Sequence, residues 1–216
     1  MSQYQPGTVT DLDEAALAEF LFSDWTVHRF VLGALGFPAN ARVAHRVVAP
    51  FIEDPNARPG DIDVLLCGSA PDRATVLECK RVKVQPHAFE TGLVNKLQEL
   101  EGGAIQANGL LELGFHCTYL MLCVAVDGSQ RAGYNFVGRG LTGELVREIY
   151  ARVPWNLLDE RLGVLAIEAV QPTAKGIHLA AGIGLVPLRA PTPRTQIAAL
   201  TALVGKYFTP PRKERA

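Results

Sequence analysis

The chain has 216 residues, 48% hydrophobic and 20% charged, enough apolar material for one domain with a sizeable core. Its formal net charge is −1, so no global positive field draws it to nucleic acid, and a polyanion must be held by a local basic patch or through a metal. The apolar run 119–126 is too short to span a bilayer, and MSQYQPGTVT has neither the basic end nor the apolar middle of a signal peptide; no membrane contact and a cytoplasmic location are the expectation.

Residues 11–35 read as one helix, because Leu17, Phe20, Leu21, Val27, Val31 and Leu35 follow helical spacing and Asp11 and Asp13 suit its N-terminal dipole. GFPAN ends it. Residues 41–53 read as a strand broken by Pro50, and DPNARPG as a turn. DIDVLLCG is a second strand, SAPDR a second turn and ATVLECKRVKV a third strand, closing a three-stranded meander. A helix over about 90–112 comes next, since Leu93, Leu97, Leu100 and Ala104 recur on one face; Gly102-Gly103 either interrupts it or admits another element at close range. The apolar segment 115–128 is then a strand buried in a sheet that helices cover. Beyond it the pattern predicts a short strand at YNFVGRG, a helix over 142–152, strands over 163–170 and 175–188, a helix over 193–207 and the loose tail TPPRKERA.

Cys67, Cys79, Cys117 and Cys123 match no zinc spacing and read as reduced thiols. The five histidines form no HExxH-type pair, and His87 reads as a loop residue. GRGLTG (138–143) matches G-x-G-x-x-G, but the strand before it is short and polar and no βαβ unit succeeds it, so a nucleotide-binding reading is set aside.

The informative stretch is 58–84. Strand side chains alternate, so Asp61 and Asp63 share one face, and Glu78 and Lys80 share one face. A hairpin through SAPDR makes Asp63 and Glu78 neighbours. Adjacent carboxylates raise each other's pKa, and a bound cation removes the conflict. Mg²⁺ prefers carboxylate and carbonyl oxygens, and the main-chain carbonyl of Cys79 offers a third. A solvated surface cluster explains the alternation equally well, but not why acids interrupt runs as apolar as DIDVLL and TVLECK.

GDIDVLL, joined through a turn to VLECK, resembles the PD-(D/E)xK nuclease superfamily. The resemblance implies an α/β fold with a restriction endonuclease-like core of helix, three-stranded meander, helix and strand over 1–126. Residues 127–216 form an α/β extension packed on the same domain. The first acid falls on Asp63, the second acid and lysine on Glu78 and Lys80; the usual proline before the first acid is replaced by Gly60-Asp61-Ile62. The resemblance also implies a metal-dependent nuclease hydrolysing phosphodiester bonds, with DNA the expected substrate. Asp63, Glu78 and the Cys79 carbonyl would hold Mg²⁺, or Mn²⁺ in its place, and Lys80 would orient water or stabilise negative charge. One or two metals and endo- or exonucleolytic cleavage all fit.

The superfamily often adds a carboxylate from the first helix. Glu14, Glu19 and Asp24 are the candidates, with Glu19 favoured. Asp61 assists the metal through water or caps a turn. Lys96 and Gln106 are candidates from the second helix, and Arg81, Lys83 and the tail residues Arg212, Lys213 and Arg215 for phosphate contacts. Family members act as dimers or in larger assemblies, and no target-recognition domain is evident here, which points to structure-directed or partner-directed cleavage. The alternative is a catalytically silent nucleic-acid-binding or scaffold protein on the same fold, which near-neutral charge favours.

Overall fold

A computed structural model of the chain describes residues 13–23, 25–53, 59–84, 99–127, 143–171 and 182–209. Helices α1 (Glu14–Ser23) and α2 (Trp25–Ala34) precede strands β1 (Arg42–Val47), β2 (Ile62–Cys67) and β3 (Thr75–Val84). Then come α3 (Glu99–Glu112), β4 (Cys117–Asp127), α4 (Gly143–Arg152), β5 (Gly163–Gln171), β6 (Gly182–Arg189) and α5 (Ala198–Phe208). The strands form one open six-stranded sheet in sequence order. β1, β2 and β3 are an antiparallel meander, β3, β4 and β5 run parallel, and β6 returns antiparallel to β5. The fold is mixed α/β.

Parallel neighbours need crossovers, and α3 and α4 lie within them. Both crossovers advance in the same direction, so a common hand puts both helices on one face. There Leu100, Ala104, Ala107 and Leu111 of α3 and Ile149 of α4 pack on Val82, Leu120, Leu122, Val124 and Val164. The opposite face is covered by α1 and α2, through Leu17, Leu21, Val31 and Leu32 against Val64, Leu77, Met121 and Ile167. α5 closes the β1–β2 side with Leu200 and Val204, beside Phe51 and Phe115.

Three expected elements change. The single helix over 11–35 is two, one ending at Ser23 and the next starting at Trp25, and each half buries its own apolar stripe. β1 ends at Val47, not at 53. The Phe51 and Ile52 N–H groups both turn back to the Val48 carbonyl, which brings those side chains into the core. The last helix starts at Ala198, because the proline-containing stretch 191–197 forms no regular structure and Ile197 before the helix is extended. Gly102-Gly103 does not interrupt α3, and the four cysteines are free. The YNFVGRG strand, His87, residues 138–142 of the glycine-rich match, the start of the 90–112 helix and the end of the tail lie outside the described residues. No helix among the described residues is long and apolar enough to cross a membrane.

Candidate active site

The site begins as a gap in the sheet. β2 and β3 pair at Leu66↔Thr75, Leu65↔Val76 and Val64↔Leu77, and there the ladder stops. β3 continues to Val84 along β4. Its other flank would be left with unpaired N–H groups, which a buried backbone does not tolerate. Two carboxylates take the place of the missing strand. Asp63 Oδ2 accepts the Cys79 N–H at 2.7 Å, and Glu14 Oε2 accepts the Arg81 N–H at 2.9 Å. The N–H and C=O of one strand residue point to the same flank, so the Cys79 carbonyl opens into the gap that Asp63 borders.

Glu78 and Lys80 project from β3 on one face, Asp63 approaches from β2, and Glu14 enters from α1. Asp13 caps that helix by accepting the Ala16 N–H at 2.7 Å, which makes Glu14 its first residue. Lys80 Nζ lies 2.9 Å from Glu14 Oε1 and 2.8 Å from Glu78 Oε1. Gly103 of α3 makes room for the lysine stem; a methyl there would stand 2.5 Å from Lys80 Cγ. Close approach is therefore what the Gly102-Gly103 pair supplies.

Glu78 is 1% exposed. Its Oε1 has the ion pair with Lys80, but neither oxygen accepts a well-formed hydrogen bond, and both are sealed from solvent. Burial, then the Asp63 charge, push its pKa to about 8 despite Lys80. Lys80 does not offset this, because its one ammonium is shared between two glutamates and Glu78 Oε2 has no donor. Burial also raises Asp63 to about 6, opposed by the Cys79 N–H and Lys80. For Lys80, burial works to lower the pKa, but Glu78 and Glu14 outweigh it and hold the group above the usual lysine range. Three acids thus face one permanent cation.

The donor set tests whether a metal fits. Two carboxylates and a carbonyl are hard oxygen ligands, which suits Mg²⁺ with water completing its shell. Among the described residues no three His, Cys, Asp or Glu side chains form a ready cage. Glu14 is accordingly a partner of Lys80 and of the β3 edge, not a third ligand.

The remaining candidates divide. Glu19, favoured from sequence, is exposed on the far side of α1. Glu14 continues the buried stripe of Leu17, Ala18 and Leu21 at helical spacing, which is the signal that singles it out. Asp61 is half-exposed at the gap's rim, with Arg46 Nε 4.0 Å away. Gln106 turns its amide toward Gly60, at the entrance to β2. Asp24, Lys96, Arg212, Lys213 and Arg215 lie outside the described residues, as does the Lys83 side chain.

Sequence reasoning passed over two features. Glu168 on β5 is 5% exposed and is raised to about 7 by burial, yet it lies two strands from the gap, across from Val124. Arg46 on β1 has a left-handed backbone, φ 51°, which disfavours a non-glycine residue by about 1–2 kcal/mol. A cavity of about 320 Å³ opens beside Phe37, Arg73, Thr75 and His116, roughly 17 Å along β3 from Lys80. Among the described residues no acid lines it, so the chemistry points to the gap and not to this cavity. No protein-family model, curated protein or solved structure matches the chain.

Proposed function

We propose that the chain is a metal-dependent phosphodiesterase acting on nucleic acid, with DNA its expected substrate and a restriction endonuclease-like core of the PD-(D/E)xK type. The observation that carries the reading is Glu78, a sealed carboxylate whose Oε2 has no donor and whose Oε1 shares one lysine with Glu14, beside the half-buried Asp63. Such a group is costly to ionise unless a cation meets it. The order of helices, meander, helix and parallel strand supports the core.

Asp63, Glu78 and the Cys79 carbonyl would hold Mg²⁺, or Mn²⁺ in its place. Once bound, such an ion lowers the pKa of a coordinated water and offsets charge on the phosphate. Lys80 stays an ammonium throughout, so it acts as a donor to water or phosphate oxygen and never as the base. Glu14 keeps its Nζ aligned and fixes the β3 edge through Arg81.

Cleavage of single-stranded, duplex and branched DNA and RNA with Mg²⁺ or Mn²⁺ tests the proposal. Asp63→Ala and Lys80→Ala should each lose about 10³-fold in rate, the scale of a lost electrostatic stabiliser. Activity that survives both substitutions rejects the site.

A silent nucleic-acid-binding or scaffold protein on the same fold is the second reading. It is favoured by the engagement of Lys80 with two glutamates, which occupies two of its three N–H donors. Calorimetric titration separates the two. The nuclease has an Mg²⁺ site that Glu78→Ala removes, and the scaffold has none.

A further inference from the structure

We infer that Arg46 is a phosphate contact that holds the nucleic-acid backbone over the rim of the carboxylate gap, next to the scissile bond. The inference rests on the nuclease reading and adds a substrate-binding group to it. Three observations meet at this residue.

The first is its position. β1 pairs with β2 at His45↔Val64 and Val47↔Ile62, so Arg46 stands across from Asp63, and the register resumes without an inserted residue. Arg46 Nε lies 4.0 Å from Asp61 Oδ2, which puts its side chain at the rim of the gap that Asp63 borders. The second is its backbone. A left-handed φ of 51° inside a strand suits glycine, and an arginine is held there against its preference. Such outliers cluster at ligand-binding sites. The third is its exposure. The side chain is 74% exposed, and its nearest charged partner among the described residues is Asp61, at the 4.0 Å edge of ion-pair range. An ion pair this loose and solvated gives the fold little.

Charge then selects the ligand. Lys80 is committed to Glu14 and Glu78, so a polyanion reaching the gap needs another cation at its mouth. Arg46 supplies one whose planar fork matches a phosphate bidentately, with Asp61 as the partner that phosphate displaces.

The test is binding of fluorescently labelled single-stranded and duplex DNA by anisotropy over a salt titration, with Ca²⁺ replacing Mg²⁺ to hold back cleavage. Wild type is compared with Arg46→Gly and Arg46→Lys. Glycine adopts the observed φ without strain, so Arg46→Gly should melt no lower than wild type and keep its Mg²⁺ site by calorimetry. Its DNA affinity should fall about 10-fold, and the slope of log affinity against log salt should shrink by about 1. Arg46→Lys should restore the slope and part of the affinity. In cleavage assays Arg46→Gly should raise KM more than it lowers kcat, a split that a merely structural role would not produce. Unchanged affinity and slope in Arg46→Gly, with Mg²⁺ binding intact, overturn this inference alone. A wild type that binds neither Mg²⁺ nor DNA overturns the nuclease reading and this inference with it.

Discussion

Toward β4, strand β3 pairs at all ten positions from Thr75 to Val84; toward β2, the ladder ends after three pairs. On the β4 flank, backbone groups satisfy one another between apolar layers, with Leu120, Leu122 and Val124 on one face and Met121 and Cys123 on the other. On the β2 flank, Asp63 and Glu14 take the N–H groups of Cys79 and Arg81. One strand therefore uses a backbone ladder for stability on one side and carboxylates to hold a gap open on the other. The acids of the gap have a double effect. They complete the hydrogen bonding of an edge, and they gather negative charge that only protons or a cation neutralise. A surface hairpin with the same alternation would leave Glu78 solvated and need neither.

Removing charge while keeping shape is the sharpest way to break this comparison. In Glu78→Gln, Mg²⁺ binding should disappear and cleavage fall by about 10³-fold or more. The metal-free protein should instead become more stable at pH 8, read as a higher urea midpoint, because a strained functional group has been relieved. A lower midpoint would mean that Glu78 is well satisfied in the fold.

The β4 flank should answer in the opposite way. Leu120 is fully buried against α3, and Leu120→Ala should cost about 2–5 kcal/mol of stability in urea unfolding. Mg²⁺ affinity of the folded protein should stay at the wild-type value by calorimetry. Loss of the metal site here would show that the two flanks are not independent.

Gly103→Ala probes the seam between them. The added methyl meets Lys80 Cγ at 2.5 Å, close to the root of the side chain, so the whole stem must shift. Overpacking of about 1–3 kcal/mol is partly offset by about 1 kcal/mol of helix propensity. Cleavage should fall at least about tenfold, since displacements near 1 Å cost up to about 100-fold. Gly102→Ala, with open space around the new methyl, is the control and should keep full activity.

What can be read from the sequence is what local periodicity governs. Alternation puts Glu78 and Lys80 on one face, and the SAPDR turn brings Asp63 beside Glu78 through the Val64↔Leu77 register. Glu14 is harder to find, because the rotation of α1 against β3 decides it over Glu19. The local hint is the spacing 14, 17, 18, 21, whereas half-buried Phe20 directs attention to the wrong face. The early end of the β2–β3 ladder and the left-handed Arg46 are fixed by contacts between distant segments, and no window of sequence encodes them. Glu168 is instructive in another way. GVLAIEAV reads much like TVLECK, but Glu168 lies between Val124 and Gly184 in the ladders, with no second acid. An acid within an apolar strand marks a site only when the neighbouring strand supplies its partner.

The smallest expected effect concerns pH. Burial holds Glu78 near 8 against an ordinary 4.5, and Asp63 near 6 against 3.8. Both are raised, so between those limits the folded protein keeps protons that the unfolded chain has released. The contribution of this pair to metal-free stability should therefore be greatest below about pH 4, decline as pH rises, and level off above about 8. One pKa unit is about 1.4 kcal/mol, and with relaxation of the gap we expect a loss of about 1–2 kcal/mol between pH 6 and 8. Urea unfolding at several pH values measures it, and Glu78→Gln should remove the slope above about pH 7, while Glu168, raised to about 7 by burial, keeps part of it below. Added Mg²⁺ should stabilise more at pH 8 than at pH 6, because binding at the lower pH must first expel protons. A flat profile in the metal-free wild type would mean that Lys80 alone neutralises Glu78, and a gap so balanced has no need of a second cation.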